Sequence, residues 1–231
     1  MKNIFLLIMI TFSAVNLYAD IKVVAVKGTV SVRHGVQEQW IPVSVGDVLK
    51  PEDSMELRKK SSATILIDNK LRITIPESVI IDFSDLQNLT QKELLLKLAM
   101  EQVRSVPSKE NGDEMIIPRI TTIHGDNKQG VSMPGRKNIE TGSMQLNGTK
   151  VLYDNGFYAT CVLKAKEVFR SYPELTDKSD MRLMIAAALE KMNLGNEALN
   201  EYMSITTEQL SQTQRLIVAQ KIESLKKDYR K

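Results

Sequence analysis

Between residues 28 and 83 the hydrophobic positions fall two apart, many of them β-branched, with turn-forming residues at short intervals. That period belongs to half-buried strands. Val30 and Val32 alternate with Thr29, Ser31 and Arg33. Ala63, Ile65 and Ile67 mirror Leu71, Ile73 and Ile75 across Asp68-Asn69-Lys70, which predicts a hairpin because side chains two apart share one sheet face. Leu66 interrupts the polar face of that hairpin, so some cover is expected there too. Pro76-Glu77-Ser78 then turns the chain into a last strand over residues 79–83. Strands this short and frequent predict a small antiparallel sandwich or barrel.

The period then becomes helical. Thr90 and Glu93 stand in the spacing of a capping box, and Leu94, Leu95, Leu98 and Val103 follow at helical intervals. A helix over residues 91–104, packed on the β block, is the expectation. Residues 105–148 carry Pro107, Pro118 and Pro134, six glycines and no aromatic residue. So little apolar area does not offset an ordering cost of roughly 1 to 2 kcal/mol per residue, which makes residues 126–148 a flexible linker and leaves only residues 116–123 able to return as a strand. Beyond Gly148, Leu152, Phe157, Val162, Val168 and Phe169 form one helical run that Pro173 stops. Leu183, Ala186, Ala187 and Leu189 form another, and the break at residues 193–195 precedes Ala198, Leu199, Tyr202 and Met203. A last helix over residues 209–228, with Thr206 and Gln209 at its start, uses Leu210, Val218, Ile222 and Leu225 to cap the array. The fold class is α+β and multidomain: a β domain with one helix over residues 20–125, and an all-α domain of helical hairpins over residues 149–231.

Before the β block stand a basic Lys2, an apolar core over residues 4–15 and the small-residue end Leu17-Tyr18-Ala19, the order of a secretory signal peptide cut after Ala19. Its apolar core is shorter than the ~20 residues a spanning helix needs, and no Cys follows the cut for a lipid anchor. An uncleaved leader would act as an anchor instead. The address is periplasmic or secreted, with no membrane span in the mature chain. Removing the leader brings the net charge of +3 down slightly, so no overall field draws nucleic acid. Basic residues do collect near the C-terminus, at Arg215, Lys221, Lys226, Lys227, Arg230 and Lys231. The lone cysteine, Cys161, permits no internal disulfide, so packing must carry the stability.

Two resemblances sharpen the fold. Val30, Trp40, Pro42-Val43, Gly46-Asp47, Leu49, Asp53-Ser54, Ser62-Ala63, Ile65, the Asp68-Asn69 turn and residues 71–75 together resemble the extracytoplasmic domain of the FecR-like proteins. Ile117-Pro118, Thr121-Thr122, Ile123 and His124-Gly125 resemble that domain's closing strand, with His124 and Asp126 where an Arg and a Thr are usual. The resemblance implies a β-rich sensing or docking module outside the inner membrane. It does not extend to the sigma-factor relay of the family's namesake, which needs a cytoplasmic segment and a membrane span. In the helical half, Gly156, Tyr158, Cys161, Ala165 and Pro173 resemble a tetratricopeptide repeat, and Asn193, Ala198 and Tyr202 repeat part of the pattern.

Catalytic groups are sparse. His34 and His124 fall in a strand end and a linker, and no His-x-x-x-His or Cys-x-x-Cys spacing offers a metal site. Cys161 sits on the apolar face of its helix, where a thiol packs rather than reacts. Asp82 and Asp85 read as solvated turn carboxylates, and Asn88-Leu89-Thr90 and Asn147-Gly148-Thr149 fit the N-glycosylation pattern. Neither a nucleophile elbow nor a phosphate-cradling loop is present. The expectation is therefore a protein that is not an enzyme, needs no cofactor, and binds an envelope protein partner. Tyr158 and Tyr202 on the inner helices are the candidate contacts. A cell-wall glycan stacking on Trp40, the only tryptophan, is the alternative, beside a role in extracytoplasmic signal sensing.

Overall fold

The computed structural model describes residues 20–105, 138–205 and 210–228. Eight strands come first: β1 (Ile21–Lys27), β2 (Val30–Arg33), β3 (Ile41–Pro42), β4 (Val48–Leu49), β5 (Ser54–Leu57), β6 (Ser62–Ile67), β7 (Leu71–Ile75) and β8 (Val79–Asp82). They form two four-stranded antiparallel sheets, ordered β4-β1-β6-β7 and β3-β2-β5-β8. The inner faces follow the period-two pattern, with Val30, Val32, Met55, Leu57, Ala63, Ile65, Ile73, Ile75, Val79 and Ile81 in one core.

The hairpin pairs as its sequence predicts, Ala63 with Ile75, Ile65 with Ile73 and Ile67 with Leu71. Asp68 and Asn69 take positive φ, as a twisted hairpin turn requires. β1 was not legible, because a register shift between Val23 and Ala25 interrupts the alternation of its buried side chains. Two aspartates organise the loops. Asp47 accepts the Ser44 amide, and the buried Asp53 accepts the amides of Gly35 and Lys50.

Among the described residues six α-helices follow: α1 (Gln91–Ser105), α2 (Ile139–Asp154), α3 (Tyr158–Ser171), α4 (Ser179–Lys191), α5 (Gly195–Met203) and α6 (Gln212–Asp228). The expected linker and domain boundary at Gly148 are corrected here, because residues 139–148 are the first part of α2. Composition misled at this point. Gly142 and Gly148 are buried close-approach positions, not flexible ones. A Cβ on Gly148 would lie 2.2 Å from the Ile80 carbonyl oxygen, so only glycine lets α2 lie this close to β8. Asn147 Nδ2 donates to the Ser78 carbonyl beside it, at 2.8 Å. β8 pairs with β5 on one side, and α2 covers it where a sheet edge would otherwise lie open.

The capping box of α1 is present, with Glu93 accepting from the Thr90 amide at 2.7 Å and Thr90 Oγ1 accepting from the Glu93 amide. Its packing partner differs from the expectation. Leu94 joins the helical core with Leu146, Val162 and Leu189, so α1 docks on α3 and not on the β block. α6 begins at Gln212, three residues beyond the expected start, and its cap is Ser211 with Gln214. Thr206 and Gln209 lie outside the described residues, as do the leader, residues 116–123, His124 and most of the expected linker.

The two hairpins α2–α3 and α4–α5 close with the same turn. Phe157 N–H reaches the Leu152 carbonyl and Gly156 N–H the Tyr153 carbonyl; Leu194 N–H reaches Leu189 and Asn193 N–H reaches Glu190. Gly156 and Asn193 both carry positive φ, as this C-cap demands. The core does not respect a division into domains, since Val151 and Leu152 from α2, Phe157 from the turn after it and Cys161 from α3 belong to the cluster that fills the two sheets.

Candidate functional site

The groups that looked most reactive are placed as structural. Cys161 is fully buried, and burial pushes its thiol up to about 12, which leaves no thiolate at neutral pH. His34 Nδ1 lies 3.0 Å from Asp53 Oδ2 at the end of β2, in a pair that ties two loops together. Among the described residues, no group of three or more His, Cys, Asp or Glu side chains is placed to hold a metal ion. The Asn147 amide is engaged by Ser78 and Thr149 is buried, so this sequon sits inside a packed junction.

A polar row crosses the outer face of the β3-β2-β5-β8 sheet. Arg33, Ser54 and Asp82 are cross-strand neighbours. The Arg33 guanidinium lies 5.1 Å from the centre of the Trp40 ring and donates to Ser54 Oγ at 3.2 Å. Ser54 Oγ donates in turn to Asp82 Oδ1. From α3, Lys164 donates to Asp82 Oδ2 at 2.8 Å and to Glu167 Oε2 at 3.2 Å. Burial pushes the Asp82 carboxyl up, but the Lys164 ammonium, the bonds from Lys164 and Ser54, and the charge of Arg33 together hold it below the usual range. Asp82 is therefore no solvated turn residue; it clamps a sheet to a helix. Asp85 differs again, since burial pushes its carboxyl up to about 7, Lys164 opposes this, and Asp82 and Glu167 add to it. Sequence reading missed the row. Its one visible sign is a charged residue at a strand end, Arg33 and Asp82, which without a register reads as solvent-facing.

The helical half presents an open groove of about 540 Å³, lined chiefly by α4 and α6, with Tyr153 from the end of α2. Leu183, Ala187 and Ile217 give it an apolar lining, and Ile217 is 46% exposed. Glu190, Lys191 and Lys221 supply charge, with Lys221 Nζ 2.7 Å from Glu190. Tyr202, expected as an exposed contact, is only 4% exposed. Its hydroxyl donates to Glu190 Oε1, and burial together with that bond raises its pKa. It fixes a wall of the groove and does not offer a free ring. Tyr158 is partly buried, edge-on to Tyr153 with ring centres 5.4 Å apart. Trp40, just before β3, is also partly buried, and Arg33 stacks on it. The three predicted site residues therefore do not converge.

A second groove, of about 420 Å³, lies among α1, α3, α4 and α5. Its Glu201 is bound by both Lys166 at 2.7 Å and Arg182 at 3.1 Å, and Arg170 is bound by Glu101 at 2.9 Å. These charges hold helices together. No helix among the described residues is long and apolar enough to cross a membrane. Comparison with known proteins finds no matching family, no similar curated protein and no similar solved structure.

Proposed function

We propose that this chain is a periplasmic or secreted, non-catalytic binding and scaffold protein of a bacterial cell envelope, and that it engages an envelope protein through the groove lined by α4 and α6. The observation that carries the reading is the composition of that groove: a partly exposed apolar lining of Leu183, Ala187 and Ile217 beside the Glu190–Lys221 pair, on helices locked by a shared core. An apolar centre with a charged rim is the anatomy of a protein interface. The FecR-like and tetratricopeptide-like assignments belong to the same proposal. They are supported by the loop roles of Asp47 and Asp53 and by hairpin turns that recur at Gly156 and Asn193.

The groove reading predicts that Ile217→Asp weakens partner binding at least tenfold, since a charge in an apolar interface centre costs more than about 1.4 kcal/mol. Titration of the purified partner against both forms checks this; equal affinities would remove the groove from the proposal. Trp40 supports a second reading, a glycan stacking on the part of its ring that reaches solvent. Under that reading Trp40 fluorescence shifts on adding peptidoglycan fragments, and under the groove reading it does not.

A further inference from the structure

The two walls of the α4–α6 groove are tied to each other at both ends. Gln214 Nε2, in the first turn of α6, donates to Asp180 Oδ1 in the first turn of α4 at 2.8 Å. Further along both helices Lys221 meets Glu190. Leu183 and Ala187 lie between these ties on α4, and Ile217 lies between them on α6, so the apolar lining is bounded. Leu216, 60% exposed, stands next to Ile217 on α6.

The charge left unspent on this lining has one sign. Both oxygens of Glu190 are occupied, Oε1 by the Tyr202 hydroxyl and Oε2 by the Lys221 ammonium. Lys191 lines the groove, is exposed, and makes no hydrogen bond or ion pair among the described residues. It follows Leu183 and Ala187 at intervals of four, which continues their stripe one turn further along α4, about 6 Å on. Its place in the last turn of α4 also favours the helix end, but that role leaves the donors of the ammonium free.

We infer, resting on the groove reading above, that the partner segment is acidic: an apolar side chain seats on Leu183, Ala187 and Ile217, and an Asp or Glu about 6 Å further along the segment meets Lys191. A basic segment would face Lys191 and Lys221 with no free carboxylate to receive it, so the same arrangement selects against it. The apolar lining supplies most of the affinity. Lys191 supplies the direction of the segment and the choice of partner.

Photo-crosslinking in intact cells from position 216 of the full chain tests this, with Lys191 unaltered, as Lys191→Arg and as Lys191→Glu. The unaltered chain and Lys191→Arg should yield the same adduct, and Lys191→Glu should lower its yield about tenfold or more. The captured peptide should carry Asp or Glu beside the attachment point. An equal yield from Lys191→Glu, or a captured peptide with Lys or Arg there in place of an acid, overturns the acidic partner and leaves the groove reading standing. No adduct from any form overturns both. Because Lys191→Glu also places an unfavourable charge at the end of α4, titration of the captured protein against the unaltered chain and Lys191→Gln gives a check that does not depend on that variant. The dissociation constant should rise between about 0.05 and about 0.5 M salt for the unaltered chain and more shallowly for Lys191→Gln, and identical salt dependence refutes the contact.

Discussion

The tie between Asp82 and Lys164 holds the sheet to α3 with two side chains that are both largely out of water, at 23% and 14% exposure. Removing one partner of such a pair strands the other charge. Lys164→Met should therefore cost about 2 to 3 kcal/mol at neutral pH, at or just under the bottom of the range for fully buried pairs because Asp82 keeps some solvent contact. The pH dependence has a fixed sign. The Asp82 carboxyl is held low in the folded state, so its contribution is fully present above the ordinary carboxylate value and is lost as pH falls from there through its own lowered value. Urea unfolding of Lys164→Met should show the deficit at pH 7 and lose it as pH falls below the lowered Asp82 value, and adding Asp82→Asn should recover most of it at pH 7. A deficit that ignores pH would assign Lys164 a packing role only. The sequence held no account of this pair. Asp82 precedes a turn and Lys164 sits among other lysines, and 82 positions separate them. Proximity of that kind comes from topology, which periodicity does not encode. The loop aspartates differ in that they have local partners: Asp47 accepts from Ser44 and Asp53 from Lys50, each three residues back.

Among the elements, α2 decides how the two halves meet. Its apolar side chains alternate with Gly142, Gly148, Thr141 and Ser143, and that composition reads as linker until the helix is seen against β8. Small residues there serve close approach. A Gly→Ala change inside an ordinary helix gains about 1 kcal/mol, whereas overpacking a tight contact costs roughly 1 to 3 kcal/mol. At Gly148 the new Cβ would stand 2.2 Å from a backbone oxygen that has no flexible end to swing aside, so the clash should win. Gly148→Ala is expected to lower the urea midpoint, and a raised midpoint would mean that α2 does not seat on β8. Elements with a clean period were readable in advance: the β6–β7 hairpin, the capping box of α1, and the turns at Gly156 and Asn193. Elements whose pattern is locally broken were not, as with β1 at its bulge. The packing of α1 was misassigned because an amphipathic face says how much is buried and not against what.

Across the whole molecule, α2 and α3 contribute side chains both to the core between the sheets and to the helical core, so the halves are not beads on a tether. A partner bound at the α4–α6 groove and a component touching the Trp40 edge of the sheet would thus be held at a set separation, which is what a scaffold does. Within the groove, Glu190 is engaged from two sides, by the Lys221 ammonium and by the Tyr202 hydroxyl. The α+β class, with a two-sheet β region followed by helices, was legible from the change of period along the chain. The groove was not, since Ile217 and Ala187 acquire meaning only when α4 and α6 lie side by side. The most direct measurement is photo-crosslinking in intact cells with the reactive residue placed at Ile217 and, in parallel, at Trp40. The account predicts that the Ile217 position captures one envelope protein and that adding Ala187→Asp abolishes the adduct. Capture at Trp40 of glycan alone, with no protein adduct at Ile217, would contradict it.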